Sequence, residues 1–364
     1  MKKTILYDKH CSLNARMSPF GGYVMPIQYE GIIKEHNAAR THATIFDTCH
    51  MGEFLISGKT AVSDLEKIVT CPVGSIKIGQ CRYGLICTDE GGVKDDQILY
   101  RINENEFMMV VNASTEPSDF QWIKSHISED TFFENTSERT GKLDLQGPAS
   151  PKIFSKLIEE PIDDLKYYHF KYATYRNERV LISRTGYTGE IGFEIYCTNE
   201  LAMKFWDDCL DAGVLPAGLG ARDTLRLEMG YPLYGHELDE NTNASMSGFT
   251  KAIFPKTFIG SSVVLDPEKK THILVGITLS GRRTAHSGNQ ILDTNNQIAG
   301  KVTSGSFSPS LQCALALGYV KIDLQQPGSK VLIRTERGDL EGTVSELPFY
   351  KKATCREDIK KFLI

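Results

Sequence analysis

Gly91-Gly92-Val93-Lys94-Asp95-Asp96-Gln97-Ile98-Leu99-Tyr100 sets two glycines, two adjacent carboxylates and an apolar run in ten residues. Glycine accepts the backbone angles of a tight turn that other residues resist. The pair Gly91-Gly92 therefore reads as a turn, Ile98 to Tyr100 as the start of a strand, and Phe107 to Val111 as its hairpin partner. Neighbouring side chains at a strand entrance point to opposite faces, so Asp95 and Asp96 are not expected to serve one site. One faces water or caps the turn. The other faces inward, where a carboxylate is costly unless it is paired or has a task.

Upstream, a polar stretch from Glu30 to His42 reads as a helix, and Phe46 to Glu53 as a compact turn into the short strand Phe54-Leu55-Ile56. Ala61, Leu65, Ile68 and Val69 fall on one face of a helix over 60–70. Downstream, Ser150 suits an N-cap and Pro151 the first position of a helix whose apolar face is Ile153, Phe154, Leu157 and Ile158. Strands over 180–183 and 193–196 flank the turn Arg184 to Glu190. A helix starts at Asn199 and ends at Gly213, and Gly218 to Asp223 opens another that runs through Leu227. After about Lys270 only short strands remain, over 273–279, 297–304, 314–320, 331–334 and 342–347. Gly, Ser, Asn and Pro separate them, the pattern of an all-β domain.

A chain of 364 residues exceeds one ordinary core and predicts two or three domains. Its 41% hydrophobic and 24% charged residues are those of a globular protein, and a net charge of -5 argues against a nucleic-acid partner. Nine scattered cysteines without a Cys-x-x-Cys predict a reducing compartment, hence the cytoplasm. Neither a signal peptide after Met1-Lys2-Lys3 nor a membrane-spanning run is read.

Few stretches carry chemistry on their own. Gly218-Leu219-Gly220 lacks the third glycine of a dinucleotide loop, and the histidines lack metal-ligand spacing, so no metal is expected. Ser304-Gly305-Ser306 reads as a turn rather than a nucleophile elbow. Arg222, at a helix start after two glycines, suits a carboxylate- or carbonyl-bearing ligand, or else pairs with Asp223 or Glu228 at the surface. Tyr187, between Gly186 and Gly189, either stacks on a flat ring or packs in a hairpin. Glu194 sits in an apolar strand on the face of Tyr196. There it takes donors from a ring with amino and imino groups, or faces solvent.

Seven motifs then occur in order: Asp47 to Glu53 (DTCHMGE), Gly91 to Tyr100, Gln146-Gly147-Pro148, Ser183 to Glu190 (SRTGYTGE), Gly218 to Glu228 (GLGARDTLRLE), Tyr234-Gly235 with Asp239-Glu240, and Thr303-Ser304-Gly305 with Ser308-Pro309. Over essentially its full length the chain resembles the T-protein of the glycine cleavage system, a tetrahydrofolate-dependent aminomethyltransferase. The resemblance implies an α+β fold of three domains in a clover-like ring around a central folate cavity, with an all-β, barrel or jelly-roll-like C-terminal domain. The expected boundaries are 1–52 with about 140–240 for the folate-binding domain, about 53–139 with about 241–270 for the second, and about 271–364 for the last.

By the same resemblance Asp96 is the acidic residue facing the reactive edge of the pterin near N5. Glu194 and Arg222 are folate anchors, Tyr83, Tyr168, Tyr187 and Tyr231 supply aromatic or hydroxyl contacts, and Met51 and Asn112 line the cavity. The implied reaction moves a one-carbon unit from the aminomethyl-lipoyl arm of the H-protein to tetrahydrofolate as co-substrate, with release of ammonia. No metal, membrane or nucleic-acid partner is implied. Tyr23, Gln97 and Asn243 to Met246 depart from the family's usual residues without touching Asp96, Glu194 or Arg222. Two other folate proteins share the resemblance: a demethylase of small sulfonium or methylamine substrates, and a non-enzymatic iron–sulfur assembly factor. The second is marked by a cysteine in a Lys-Gly-Cys-Tyr-type motif that Arg184 to Tyr187 lacks.

Overall fold

The structure, a computed structural model, describes residues 1–363. The glycine turn forms where the sequence puts it. Gly91 adopts a φ of +82°, and a Cβ on Gly92 would lie 1.8 Å from the Glu240 carbonyl oxygen, so both positions require glycine. The following strand is longer than its apolar run, spanning Val93–Asn103. It pairs antiparallel with Cys81–Cys87 on one side and with Glu106–Val111 on the other, as expected for the hairpin partner. The strands Gly52–Gly58 and Thr131–Asn135 complete a five-stranded sheet.

Asp95 and Asp96 therefore stand inside a strand, and the expectation that one of them meets water or caps the turn is corrected. One face of the sheet, with Leu99, Phe107 and Met109, packs with Leu65 and Ile123 of the helices Ala61–Ile68 and Glu116–His126. Asp95 is fully buried, while Asp96 on the opposite face lines a cavity. With both faces covered, alternation separates the two carboxylates without giving either one to bulk water.

The second sheet has six strands, in the order Phe170–Tyr175, Glu178–Ser183, Gly192–Thr198, Thr140–Gln146, Thr44–Asp47 and Leu215–Pro216. Its core includes Phe154 stacked on Phe193 at 4.4 Å, with Phe205 and Trp206 beside them. The expected cap at Ser150 is displaced by one residue. Ala149 is the N-cap of Ser150–Leu157, and the Ser150 hydroxyl donates to the Ile191 carbonyl at 3.0 Å. The helices Ile32–Thr41, Asn199–Asp211 and Leu219–Met229 lie where periodicity and capping place them.

The C-terminal strands close a six-stranded barrel: His272–Leu279, Cys313–Lys321, Ile298–Ser308, Gln290–Leu292, Lys330–Arg334 and Leu340–Ser345. Val275, Ile277, Ile291, Val302, Ala316 and Ile333 fill it. Ser304-Gly305-Ser306 is not a turn but part of a strand, with a register shift between Val302 and Ser304. A Cβ on Gly305 would fall 2.3 Å from the Ala285 carbonyl oxygen, so this glycine marks a close backbone approach. The helix Leu219–Met229 fastens the barrel to the rest. Arg226 donates to Ser304 Oγ and Glu237 Oε2, both at 2.8 Å, and Glu228 Oε1 accepts from the Ser308 hydroxyl at 2.5 Å.

Candidate functional site

A cavity of about 370 Å³ lies between the two sheets and the helix Leu219–Met229. Met51, Tyr83, Asp96, Asn112, Tyr168, Tyr187, Glu194, Arg222 and Tyr231 all line it. Residues from both sheets and from the segment after the helix are thus brought to one space.

The floor is built on the strands Thr140–Gln146 and Gly192–Thr198. Asp144 and Glu194 stand directly opposite each other in the register, where two like charges repel. Each carboxylate has its own cation: Lys142 Nζ donates to Glu194 Oε1 at 2.5 Å and Arg222 Nη1 to Asp144 Oδ2 at 2.7 Å. Thr185 Oγ1 also donates to Glu194 Oε2, and the Tyr100 and Tyr196 hydroxyls lie 3.3 and 3.4 Å from that oxygen. Burial pushes the Glu194 carboxyl up, but the Lys142 cation and these donors outweigh it and hold the group below its ordinary range. Glu194 is therefore an anion with its own donors. The solvent-facing alternative is excluded, since only 4% of the residue is exposed.

Arg222 pairs with neither Asp223 nor Glu228. Its guanidinium reaches Asp144 and lies 4.9 Å from the centre of the Tyr187 ring. Tyr187 stacks against Tyr231 at 5.8 Å, and its hydroxyl donates to the Pro232 carbonyl. Tyr168 holds a φ of +59°, an uncommon conformation for a tyrosine, with its N–H donating to the Arg184 carbonyl at 3.0 Å.

Asp96 occupies the wall opposite this floor. The Asn112 Nδ2 group donates to Asp96 Oδ1 at 2.8 Å and to Asp95 Oδ1 at 2.7 Å, so one amide joins the two aspartates. Burial first, and the Asp95 charge second, push the Asp96 carboxyl up to about 7. The Tyr83 hydroxyl beside it is buried without a hydrogen-bond partner, as is Nδ1 of His50, another lining residue. These two orphaned polar atoms are available to a ligand.

Sequence reasoning missed Lys142 and His50. For Lys142 the signal was present: Lys142, Asp144 and Gln146 alternate with Leu143 and Leu145, which places three polar groups on one strand face. All three are buried, so this polar face belongs to an enclosed site rather than to solvent. His50 stands beside Met51 in the DTCHMGE motif, and only its burial distinguishes it.

Tyrosine walls, an anion–cation floor and a carboxyl that titrates near neutrality make an enclosed pocket suited to a flat, polar ligand, the pocket of a small-molecule-binding protein. Residues 6–256 match the family model of the GCVT N-terminal domain, and residues 273–351 that of the glycine cleavage T-protein C-terminal barrel domain. The chain belongs to the glycine cleavage T-protein family. It is 43% identical to an aminomethyltransferase of Halothermothrix orenii, over 96% of this chain and 100% of that one. It is 42% identical to that of Chloroherpeton thalassium, over 97% and 99%. The crystal structure of glycine cleavage system aminomethyltransferase T from Bartonella henselae superposes with a TM-score of 0.91 at 30% identity, covering 97% of this chain and 99% of that one. These matches span both sheets and the closed barrel, in keeping with the expected α+β architecture.

Proposed function

We propose that this chain is an aminomethyltransferase of the glycine cleavage system. On this reading it transfers the one-carbon unit of an aminomethyl-lipoyl arm, carried by the H-protein, to tetrahydrofolate bound in the cavity. The carbon forms bonds to N5 and N10 of the folate and loses its bonds to nitrogen and sulfur. The two hydrogens displaced from N5 and N10 leave with ammonia and with the dihydrolipoyl thiol, so the products are 5,10-methylenetetrahydrofolate, ammonia and dihydrolipoyl H-protein. The names of the relatives favour this transfer over a demethylase or a non-enzymatic folate binder.

The observation that carries the reading is the opposition, within one cavity, of an anionic Glu194 and an Asp96 that titrates near 7. Glu194 and Arg222 suit the amino–imino edge of a pterin, and the tyrosines suit its flat faces. The unpartnered Tyr83 hydroxyl and His50 Nδ1 offer further polar contacts. Asp96, once ionised, stabilises positive charge that develops on the one-carbon unit and takes up a proton at the N5 edge. Enclosure of the pocket fixes the reacting groups and excludes water. Met51, Asn112, Tyr168, Tyr187 and Tyr231 complete the folate contacts.

The division into 1–52 with about 140–240, about 53–139 with about 241–270, and about 271–364 is supported by a separate sheet and main hydrophobic cluster for each unit, except that Ile359 of the last segment packs in the core of the first unit. Nine free cysteines support work in the reducing cytoplasm. No helix of the described residues is long and apolar enough to cross a membrane.

The test is to mix the purified protein with tetrahydrofolate and aminomethylated H-protein. Equal amounts of ammonia and 5,10-methylenetetrahydrofolate are expected. Folate binding without turnover points to another one-carbon donor, and absence of folate binding overturns the reading.

A further inference from the structure

Asp119 lies on the helix Glu116–His126 behind the catalytic wall, fully buried. Neither of its carboxyl oxygens receives a hydrogen bond from an N–H or a hydroxyl. The neighbouring Thr115 hydroxyl is turned instead to the Asn112 carbonyl, 3.2 Å away. Lys94, the cation whose charge acts on Asp119, is bonded to Glu240 at 2.9 Å and lies over the Trp122 ring. What Asp119 meets is the carboxyl of Asp95. Two buried carboxyls set against each other, with no cation between them, cannot both ionise without a large cost.

From Asp95 the chain of contacts continues to Asp96. Asp95 accepts from the Asn112 backbone N–H at 2.9 Å and from its side-chain Nδ2 at 2.7 Å. The same Nδ2 donates to Asp96 at 2.8 Å. An amide nitrogen carries two hydrogens, so each aspartate receives one.

We infer that Asp119 is a positioning residue for Asp96: it stays protonated and donates its proton to Asp95. Asp95 then remains ionised, and both hydrogens of the Asn112 amide stay committed, one to each aspartate. The inference rests on the reading of Asp96 as the proton-transfer group of the site. Burial pushes Asp95 itself up, and the donors from Asp119 and Asn112 work against it in favour of the anion. That anion is the neighbour that raises Asp96 beyond the effect of burial. Burial, and then the Asp95 charge, likewise push Asp119 up to about 10. The other groups that face this corner are Tyr83 and Tyr187 toward Asp96, Lys94 toward Asp119 and Tyr234 toward both Asp95 and Asp119, with Asp239 and Glu240 beside Tyr234. Without a donor at 119, Asp95 would take the proton itself, and Asp96 would lose the neighbouring charge and titrate at lower pH.

The test uses full-length protein labelled with ¹³C at the aspartate carboxyls, titrated by NMR, with Asp96→Asn and Asp119→Asn assigning the two resonances. Neither folate nor H-protein is added, so failure of the aminomethyltransferase reading leaves the result intact. Asp119 is expected to be protonated at pH 7, with Asp96 titrating near 7. Asp119→Asn, which still donates and carries no charge, should leave the Asp96 midpoint in place. Asp119→Leu should lower it by roughly one pH unit. An Asp119 resonance that titrates in the ordinary carboxylate range overturns the inference, as does a lowered Asp96 midpoint in Asp119→Asn. If Asp119→Leu does not fold, the wild-type and Asn titrations decide.

Discussion

Two pairs of buried carboxylates stand at the cavity, Glu194 and Asp96 lining it and Asp144 and Asp95 behind them, and the protein settles their repulsion in opposite ways. On the floor, Asp144 and Glu194 face each other across two strands and each receives a cation, Arg222 and Lys142. On the wall, Asp95 and Asp96 are adjacent in sequence and receive no cation. They share the two hydrogens of the Asn112 amide. The Lys142 cation and the hydroxyl donors hold Glu194 below its ordinary range against burial, while burial outweighs Arg222 at Asp144 and pushes that carboxyl up, so Glu194 is the member of the floor pair that holds its charge. An amide leaves the charge free to change, so Asp96 titrates near 7. A ligand anchor needs the first arrangement and a proton-transfer group the second.

The largest effect should come from removing the titrating group. Asp96→Asn keeps the shape of the wall and should lower kcat by about 10²–10⁴-fold, with tetrahydrofolate affinity changed several-fold at most. Steady-state kinetics and equilibrium binding separate the two. Equal losses in both would make Asp96 an anchor and erase the contrast with the floor.

Next in size is the floor cation. Lys142→Met leaves Glu194 charged and buried without its ion partner, a defect of about 3–5 kcal/mol. Urea denaturation should show the loss, and Glu194→Gln added to Lys142→Met should recover most of it. Without that recovery, Lys142 would be holding something other than Glu194.

The third effect is a dependence on pH. Asp96 has a folded-state pKa raised from 3.8 to about 7, so between those values the folded protein binds more protons than the unfolded chain. Stability should then fall as pH rises across that window, by about 4 kcal/mol in all, and level off above 7. Turnover should rise over the upper part of the same window, as Asp96 becomes an anion. Glu228, held down to about 2 by His36 and Arg40 against the burial that raises it, acts with the opposite sign. It stabilises above its unfolded value, and that contribution is lost as pH falls toward 2. Denaturation of Asp96→Asn against pH isolates the first term: the decline between 4 and 7 should flatten.

The same contrast explains which parts were legible in the sequence. Glu194 stood out because a carboxylate in an apolar strand is costly, and Arg222 because a guanidinium at a glycine-rich helix start faces open donors. The closed barrel followed from a run of short strands with turn residues between them. Asp95 was not legible. The turn reading started the strand too late, at Ile98 rather than Val93, and nothing local says that a helix covers its face. Asp119 was hidden for a related reason: an aspartate on a helix ordinarily faces water, and only tertiary packing buries this one. Gly305 resembled a turn residue because close backbone approach and turn formation both call for glycine.

The smallest effect, and the sharpest for the floor, is Arg222→Lys. A lysine keeps the positive charge opposite Asp144, so stability should change by less than about 1 kcal/mol. What it loses is the planar fork, which bonds Asp144 at 2.7 Å while its face lies 4.9 Å from the centre of the Tyr187 ring. If the guanidinium serves only to neutralise Asp144, tetrahydrofolate affinity should be unchanged. If it also orders Tyr187 and presents donors to the ligand, affinity should fall by about 5–10-fold, with kcat and its pH midpoint unmoved. The second outcome is expected, because among the described residues no hydrogen bond or ion pair joins Arg222 to Asp96, and Tyr187, the ring between them, is uncharged. A shift of the pH midpoint in Arg222→Lys would show that the two carboxylate pairs act as one electrostatic unit rather than as an anchor and a switch.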